Sequence, residues 1–574
     1  MLSFKELKRN LKKDVSQLPT LKVSLMGDSA TQFLAMAIKG VGVQYGYNID
    51  LFEADYNQIE RQVFDYNSEL YQHQADYTIV FQSTHKLLEK YSMMSPEQQE
   101  DMAESCIHFV KDLCSMVGGN IIYYNYPEID DGVFGSYSNK VVSSFTYQVR
   151  KLNFELMNLS QNIPNLYICD LSSIQNKFGR DVMFDSTIYV STEMLLSMSI
   201  LPYVASRTLD IISSIYGKFK KCLILDLDNT IWGGVVGDDG WENIQIGHNL
   251  GIGKAFTEFQ QWIKKLKNRG IIIAICSKNN EETAKEPFCK NPEMILSLED
   301  ISVFIANWEN KVDNIYTIKN ILNIGFDSMV FLDDNPFERN MVRENIPDIL
   351  VPELPEDPGK YLEFLYSLNI FETASYNKAD NERTKQYQVE AKRVIASRSY
   401  SSESDFLRSL DMVSCVSNFD KFNIPRVAQL SQRSNQFNLR TIRYNDNQII
   451  SITNDNKYAT FSFTLEDKFG DNGLIAVVIM EKRDEETLFI DTWFMSCRVL
   501  KRGMEIFTLN TLVRYAVDNN FKRIIGEYIP TNKNGMVKNH YIDLGFELIP
   551  DSDNYLYVLD VENYEYKECY IRKK

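Results

Sequence analysis

The sequence predicts an α/β protein of three parts, in which two consecutive α/β domains with parallel sheets precede an α+β domain. Short apolar runs alternate with helical patterns over residues 1–212 and again over residues 213–370, as expected when helices connect parallel strands. Residues 401–574 are instead rich in aromatic and β-branched residues, which favour strands. Residues 371–400 are polar with a helical pattern, and they predict a helical linker between the second and third parts.

Each part contains several strand candidates. In the first part they cover residues 23–26, 77–81, 120–124 and 166–169. In the second part they cover residues 222–227, 271–276, 303–306 and 329–332. In the third part strands are expected at residues 458–465, 474–480, 488–495 and 523–528, with one clear helix at residues 505–519. The length of 574 residues suits three or four domains at roughly 150 residues each.

Composition and charge restrict the classes of function. The 61 Lys and Arg residues against 78 Asp and Glu residues give a net charge of −17, which argues against binding duplex DNA or an anionic membrane surface. Nine cysteines without a CxxC pair argue against zinc ribbons and disulfide frameworks. There is neither an apolar run long enough to span a membrane nor the apolar core of a signal peptide. We therefore expect a cytoplasmic protein with free thiols and no nucleic-acid partner.

Polar residues follow the strand candidates of the second part. They occur in the strings CLILDLDNT, IIIAICSKN, NWENK and MVFLDDN. In chain order these residues are Asp226, Asp228, Thr230, Ser277, Lys311, Asp333 and Asp334. Because open α/β sheets bind ligands at the carboxyl ends of their strands, we expect these side chains to meet at one edge of the sheet.

This order of an Asp-x-Asp motif, a hydroxyl, a lysine and an acidic pair resembles the signature of the haloacid dehalogenase (HAD) phosphotransferase superfamily. The resemblance covers residues 215–345. It implies that Asp226 is a nucleophile that forms an aspartyl phosphate and that Asp228 is the general acid and base. It also implies that Ser277 and Lys311 bind the transferring phosphoryl oxygens. Two neighbouring residues complete the predicted phosphate-binding set, Thr230 and Lys278.

The same resemblance implies a Mg²⁺ site. Clustered carboxylates and a dianionic phosphate repel one another, and a hard divalent cation with oxygen ligands offsets that repulsion. The expected ligands are Asp226, Asp333, Asp334 and the backbone carbonyl of Asp228.

The spacing of the motifs predicts a core without a cap. Only 49 residues separate Asp228 from Ser277, and 34 separate Ser277 from Lys311, so neither gap can hold a large cap domain. We expect the site to be closed by a bulky substrate, a neighbouring domain or a partner protein.

A narrower resemblance runs over most of the chain. The strings IWGGVVGDDG, ICSKNNEE, NWENK and FLDDNPFER, followed by RVAQLSQRSNQFNLRTIRY and DKFGDNGLIAV, are similar to the FkbH-like family of HAD proteins. In that family a HAD phosphatase domain often lies between an SGNH-like N-terminal domain and a GNAT-like acyltransferase domain. Characterised members take the glyceryl group of 1,3-bisphosphoglycerate, remove phosphate and load the acyl group on an acyl carrier protein. The resemblance implies an acyl phosphate substrate and a carrier-protein partner here.

The first part resembles SGNH hydrolases only at its start, in MGDSATQF, where Gly27, Asp28 and Ser29 match the first conserved block. An SGNH esterase also needs a histidine near the end of the domain, and no histidine lies between residues 109 and 210. We therefore predict an SGNH/flavodoxin-like scaffold without catalytic activity.

The third part resembles a GNAT domain. Its loop RVLKRGME aligns with the pyrophosphate loop that precedes a helix in that fold. The candidate residues for binding coenzyme A or a phosphopantetheine arm are Arg498, Lys501, Arg502 and Gly503. Lys501 replaces the first glycine of the usual loop, which puts ordinary acetyl-CoA use in doubt. Near the usual position of the catalytic acid are Asn539 and Tyr541, and a packing role for Tyr541 is as well supported as a catalytic one.

A thioester route would need a thiol, and the two candidates are Cys276 and Cys497. A carrier protein would need a local basic patch on this acidic chain. One candidate patch is Arg498, Lys501 and Arg502. The other is Lys264, Lys265, Lys267 and Arg269, which also fits a solvated helix face.

Three functions remain open from the sequence. The first is a phosphatase and acyl transferase that feeds a carrier protein. The second is a phosphatase of a small phosphorylated metabolite or sugar, in a surface-polysaccharide pathway, with inert flanking domains. The third is a noncatalytic assembly protein, which the intact HAD motifs disfavour.

Overall fold

The computed structural model describes residues 2–376, 380–381, 383–397, 400–434, 436–496, 499–531, 533–550 and 555–574, with residues 394 and 395 described by their backbone alone. The chain forms two compact units, Met1–Ile215 and Tyr216–Lys574. Among the described residues, no helix has both the length and the apolar composition needed to cross a bilayer.

The first unit contains a parallel sheet of five described strands in the order β2-β1-β3-β4-β5. This order is that of flavodoxin-like doubly wound folds and confirms the predicted α/β class. The strands are β1 (Thr20–Gly27), β2 (Asn48–Glu53), β3 (Tyr77–Phe81), β4 (Asn120–Tyr124) and β5 (Leu166–Cys169). The helices are α1 (Phe4–Asn10), α2 (Gln32–Gln44), α3 (Ile59–Phe64), α4 (Glu69–His73), α5 (Thr84–Ser92), α6 (Pro96–Glu100), α7 (Met102–Met116), α8 (Phe145–Asn162), α9 (Leu171–Phe178), α10 (Arg180–Met183), α11 (Ser186–Thr192) and α12 (Leu201–Ile215).

The second unit begins with a four-stranded parallel sheet in the order β8-β7-β6-β9. Its strands are β6 (Cys222–Leu225), β7 (Ile272–Ser277), β8 (Val303–Ala306) and β9 (Met329–Leu332). Its helices are α13 (Val236–Asp239), α14 (Ile252–Asn268), α15 (Glu281–Lys290), α16 (Lys311–Leu322), α17 (Pro336–Asn345) and α18 (Tyr361–Leu368). A further helix, α19 (Arg383–Ser397), occupies the later part of the predicted linker.

Both faces of this four-stranded sheet are buried. Leu223 and Leu225 pack into one apolar cluster, and the alternate residues Cys222 and Ile224 pack into another on the opposite face. This pattern explains the unbroken apolar runs, since strands covered by helices on both sides do not alternate with polar residues. Only the ends of such strands can present polar groups to a ligand.

The rest of the second unit is a mixed sheet in the order β16-β17-β15-β14-β13-β12-β10-β18, with β11 beside β12. Its strands are β10 (Met412–Ser414), β11 (Val416–Ser417), β12 (Tyr458–Asp467), β13 (Gly470–Lys482), β14 (Thr487–Met495), β15 (Arg523–Tyr528), β16 (Glu547–Leu548), β17 (Tyr555–Asp560) and β18 (Ile571–Lys573). Its helices are α20 (Glu403–Ser409), α21 (Ile424–Arg433), α22 (Asp446–Asn454), α23 (Met504–Asp518) and α24 (His540–Asp543). The sheet confirms the predicted α+β class.

The centre of the mixed sheet has a GNAT-like arrangement. Strands β12, β13 and β14 are antiparallel, and α23 then crosses to β15, which runs parallel to the first half of β14. Past that pairing, Leu439 N donates to Trp493 O at 3.2 Å and Met495 N donates to Phe437 O at 3.1 Å. Ile529 N donates to Leu439 O at 2.9 Å. Residues 437–439 therefore fill the space where β14 and β15 separate.

Candidate active site

Four polar side chains meet at the carboxyl edge of the four-stranded sheet. Asp226 follows β6, Ser277 ends β7, Lys311 begins α16 after β8, and Asp333 follows β9. All four are almost completely buried. The predicted convergence at this edge is therefore present in the structure, because the strands are parallel and in register.

Lys311 is the cationic centre of the cluster. Its Nζ lies 3.0 Å from Asp226 Oδ1 and 2.6 Å from Asp333 Oδ2. Burial alone would lower the pKa of Lys311, but the charges of Asp226 and Asp333 outweigh it and raise that pKa. Burial and the charge of Asp226 raise the pKa of Asp333 to about 7, although Lys311 opposes the shift. The ammonium thus balances only part of the negative charge gathered here.

Three carboxylates of this cluster are arranged as a cation site. Asp226, Asp333 and Asp334 each offer an oxygen, and these oxygens lie within 4.8 Å of one another. Carboxylate oxygens are ligands that Mg²⁺ uses in proteins. A single lysine neutralises only part of the negative charge of the three acids. The donor set therefore fits a hard divalent cation.

The carboxylate of Asp228 has separate partners. Its Oδ1 accepts hydrogen bonds from Trp232 Nε1 at 2.9 Å and from the backbone of Val236 at 3.0 Å. Its Oδ2 accepts one from Asn279 Nδ2 at 3.1 Å. Burial raises the pKa of Asp228, and the charge of Asp226 adds to that shift. A carboxyl group held in place with a raised pKa is suited to donating a proton.

Thr230 and Arg339 hold the loop after β9. Asp334 N donates to Thr230 Oγ1 at 3.1 Å, and Thr230 Oγ1 lies 3.4 Å from Asp334 Oδ1. The buried Arg339 donates through Nη1 to the backbone oxygens of Asp333 at 2.8 Å and Asp334 at 2.7 Å. Thr230 was predicted to bind phosphate, and in this structure its hydroxyl contacts Asp334.

Sequence reasoning missed Asn279 and Arg339. Both lie inside strings that had been singled out, ICSKNNEE and FLDDNPFER, but their partners come from other strands or from backbone carbonyls. The predicted phosphate ligand Lys278 forms an ion pair with Glu338 at 2.6 Å. This ion pair places the ammonium group of Lys278 beside Glu338 of α17.

Three segments of the second unit carry exposed apolar side chains. Trp308 is 76% exposed in the loop after β8, and Phe337 is 64% exposed just after the acidic pair. Leu250, 96% exposed, lies in the loop before α14. Between Asp228 and β7 the described elements are only α13 and α14, in keeping with the expected absence of a cap.

Of the two predicted thiols, the structure describes only Cys276. Cys276 is fully buried, and its Sγ lies 3.7 Å from the backbone oxygen of Lys311. Burial raises the pKa of this thiol, which opposes the thiolate that acyl transfer would need. Cys497 and Arg498 lie outside the described residues.

The loop before α23 only partly matches its predicted role. Lys501 is exposed with a left-handed backbone (φ 63°), and Gly503 (φ 79°) precedes the helix. Arg502 is buried; it pairs with Glu390, and its Nη1 lies 3.3 Å from Asp467 Oδ2. The prediction that Arg502 contributes to an exposed basic patch is therefore wrong.

The remaining predicted residues are Tyr541 and Asn539 in the third part and the basic residues of α14. Tyr541 is buried against Gly526, where an added Cβ would lie 2.3 Å from its ring, which supports the packing role. Asn539 is exposed. In the second candidate patch, Lys264 and Lys267 pair with Asp300. The remaining members, Lys265 and Arg269, lie on the same helical segment.

In the first unit, Ser29 is fully buried at the end of β1. The neighbouring Asp28 accepts a hydrogen bond from the backbone of Ser83 at 2.7 Å, and burial raises its pKa to about 6. A fully buried hydroxyl supports the prediction that this serine is not a nucleophile.

Comparisons with known proteins agree with these observations. Residues 22–213 match the family model of the FkbH N-terminal domain. The crystal structure of the N-terminal part of BF1531 from Bacteroides fragilis, described as containing a phosphatase domain complexed with Mg, is 67% identical. The match covers 65% of this chain and 100% of that one, with a TM-score of 0.64.

More distant matches involve acetyltransferases. An N-acetyltransferase from Staphylococcus aureus is 16% identical over 26% of this chain and 99% of its own, with a TM-score of 0.21. No curated protein matches the sequence.

Proposed function

Because this chain belongs to the family of BF1531, whose N-terminal part contains a phosphatase domain, we propose that it is a Mg²⁺-dependent phosphohydrolase of the HAD type. The observation that carries the proposal is the cluster in which Lys311 contacts Asp226 and Asp333 while Asp334 completes a three-carboxylate site. We propose the predicted division into residues 1–212, 213–370 and 401–574, with catalysis in the second part.

In the first chemical step, a carboxylate oxygen of Asp226 attacks the substrate phosphorus. The bond from phosphorus to the leaving oxygen breaks, and Asp228 donates its proton to that oxygen. Lys311 and Ser277 hold the equatorial phosphoryl oxygens as charge develops on them. Bound to Asp226, Asp333 and Asp334, Mg²⁺ supplies the positive charge that offsets repulsion between these acids and the phosphate.

In the second step, Asp228 accepts a proton from a water molecule that attacks the phosphorus of the aspartyl phosphate. The bond between phosphorus and Asp226 breaks, inorganic phosphate leaves, and both aspartates return to their starting states. The raised pKa of Asp228 suits a group that must carry a proton in one step and accept one in the next.

A phosphate-release assay tests this proposal. The purified full chain is incubated with phosphomonoesters and acyl phosphates, in Mg²⁺ and in excess EDTA. We expect release from at least one substrate in Mg²⁺, its loss in EDTA and its recovery when Mg²⁺ is restored. Undiminished release in EDTA would contradict the metal site, and inactivity toward every phosphate would contradict the phosphatase.

A second candidate function, transfer of the acyl group to an acyl carrier protein, is supported by exposed apolar side chains that follow β8 and β9. Trp308 and Phe337 follow β8 and β9 at the carboxyl edge of the sheet, and a docked protein would cover these exposed apolar side chains. The GNAT-like order of the third sheet fits the same activity. Mass spectrometry of a carrier protein incubated with the enzyme and an acyl phosphate tests it, since transfer adds the acyl mass to the carrier. The alternative, a phosphatase of a small metabolite with inert flanking domains, predicts phosphate release without that added mass.

A further inference from the structure

A cavity lies at the edge of the phosphatase sheet opposite to the carboxylate cluster. Its volume is about 520 Å³, which is within the usual range for small-molecule pockets. Lys221 and Ser328, which line it, immediately precede β6 and β9. The catalytic acids follow the other ends of the same strands, so roughly 13 Å of β6 separates the two sites. The far wall comes from α21 and from the end of β14.

The described lining of this cavity is strongly cationic although the whole chain carries a charge of −17. Its basic residues are Lys221, Lys319, Arg383, Arg426, Arg433 and Lys533. Its acidic residues are Asp327 and Asp348. Such a local reversal of charge indicates a site for an anion.

Several of these basic groups share an acidic partner. Arg383 Nη2 and Arg433 Nη1 both contact Asp380 Oδ1, at 2.9 Å and 2.6 Å, so two guanidinium groups share one buried carboxylate. Lys533 Nζ lies 2.5 Å from Asp327 Oδ2. With Asp380 included, six basic groups face three acidic ones among the described residues, an excess of three positive charges.

We infer that this cavity binds an organic phosphate. A dianionic phosphate group would offset most of the excess charge, and guanidinium groups bind phosphate oxygens through paired hydrogen bonds. Ser328, Ser434 and Ser496 add hydroxyl groups to the lining for the remainder of the ligand. This inference goes beyond the proposed phosphatase and does not depend on it, because the residues of the two sites are different.

The cavity is a binding site rather than a second hydrolytic site. The three-carboxylate cluster detected among the described residues is at the other edge of the sheet, and Asp327 is held by Lys533. The ligand is either a free phosphomonoester or the phosphate-bearing pantetheine arm of a cofactor or carrier protein. Both ligands carry a phosphate group, and titration with different probe molecules distinguishes between them.

Isothermal titration of the full chain in EDTA tests the inference. Without a metal ion, three carboxylates against one lysine repel phosphate at the phosphatase site, so binding in EDTA reports on the cavity. The probes are inorganic phosphate, glycerol 3-phosphate and coenzyme A. We expect at least one organic phosphate to bind more tightly than inorganic phosphate. Preference for glycerol 3-phosphate identifies a free phosphomonoester, and preference for coenzyme A identifies a pantetheine arm.

The matched variants are two charge-neutralising pairs. Lys319→Gln with Arg426→Gln removes two lining charges and leaves Arg383 and Arg433 beside Asp380 and Lys533 beside Asp327. Lys254→Gln with Arg514→Gln removes the same charge from exposed positions outside the lining. We expect the first pair to weaken binding about tenfold or more, and the second to leave it unchanged. Both should keep their melting temperature and phosphatase activity.

Two results would overturn the inference: no binding of any probe at millimolar concentration, or an equal loss of affinity in both pairs. The outcome is separate from that of the phosphatase proposal, since Asp226→Asn should abolish turnover and keep the binding seen in EDTA.

Discussion

The two parallel sheets of the molecule carry acidic motifs at the same topological position but in different surroundings. In the first unit, Asp28 and Ser29 follow β1, the carboxylate binds a backbone amide, and the hydroxyl is buried. In the second unit, Asp226 follows β6 and faces Lys311 and the acids that follow β9. Both motifs lie after the first strand of a doubly wound sheet.

The difference shows what a strand-end acid needs in order to act in catalysis. One strand supplies a carboxylate, but a phosphoryl-transfer site also needs a cation, further acids and a proton donor from neighbouring strands. At the second sheet, Lys311 lies within hydrogen-bonding distance of Asp226 and Asp333, Asp334 lies close to both acids, and Asp228 follows the same strand as Asp226. In the first unit, the carboxylate of Asp28 is bound to the backbone of Ser83.

The largest expected effect is that of Asp226→Asn compared with Asp28→Asn. Removing the proposed nucleophile should lower phosphate release by about 10⁴-fold or more, to the background of the assay. Asp28→Asn should keep activity. Because burial raises the pKa of Asp28 to about 6, its charged form opposes folding above that pH, and neutral asparagine avoids this cost.

Phosphate release by the two purified variants, with circular dichroism as a folding control, measures this difference. Full activity of Asp226→Asn would show that the nucleophile has been misassigned. Loss of activity in a folded Asp28→Asn variant would show that the acid at the first sheet also contributes to phosphate release.

The next largest effect is expected for Asp228→Asn. Loss of the general acid and base should slow turnover of an alkyl phosphate by about 10²–10⁴-fold. An acyl phosphate leaves as a carboxylate and needs little protonation, so its first step should survive while hydrolysis of the aspartyl phosphate fails. Rapid-quench measurements should then show a burst of one carboxylate per active site. Equal losses for both substrates without a burst would contradict this role.

A smaller effect on activity, with a clear effect on stability, is expected for Lys311→Met. Without the ammonium, Asp226 and Asp333 are left uncompensated, which should cost about 3–5 kcal/mol of folding free energy in EDTA. Mg²⁺ should recover part of that loss, so the rise in melting temperature on adding Mg²⁺ should be larger than in the wild type. Calorimetry in EDTA and in Mg²⁺ measures it, with Lys254→Gln as control. An unchanged response to Mg²⁺ would argue against a shared site for lysine and metal.

The smallest effect is expected for Ser29→Ala. This side chain is fully buried and lies in a different unit from the carboxylate cluster of the described residues, so phosphate release should stay within about twofold of the wild type. An ester-hydrolysis assay on the same pair of proteins tests the scaffold prediction. Esterase activity in the wild type that disappears in the variant would show that the first unit is an enzyme.

Much of the fold was predictable because apolar runs mark buried strands. The predicted strands at residues 77–81, 120–124, 303–306 and 329–332 agree with the structure to the residue. Strand β2 was missed, since in NIDLFE only Ile49 is fully buried and polar residues interrupt the run. The described linker helix covers Arg383–Ser397, whereas the prediction gave residues 371–400, because a polar stretch contains little to mark where a helix starts.

The candidate site was predictable where a residue ends a strand and less so where it is held by distant partners. Asp226, Ser277 and Asp333 follow apolar runs, so their approach to one edge follows from parallel topology. Asn279 and Arg339 were missed because they act through Asp228 and through backbone carbonyls. The burial of Arg502 was missed because Glu390 and Asp467, its partners, lie far away in sequence.

The sequence by itself determined the α/β and α+β classes of the sheets and the order of acid, hydroxyl and lysine along the second sheet, because hydrophobic periodicity and strand-end motifs are local properties. Only the tertiary structure decided which charged groups form ion pairs and which are buried. It placed Lys311 between two carboxylates, buried Arg502 in an ion-pair network and gathered six basic residues around a cavity in an acidic protein. Electrostatic energy depends on distance and solvent exposure, and neither is set by spacing along the chain.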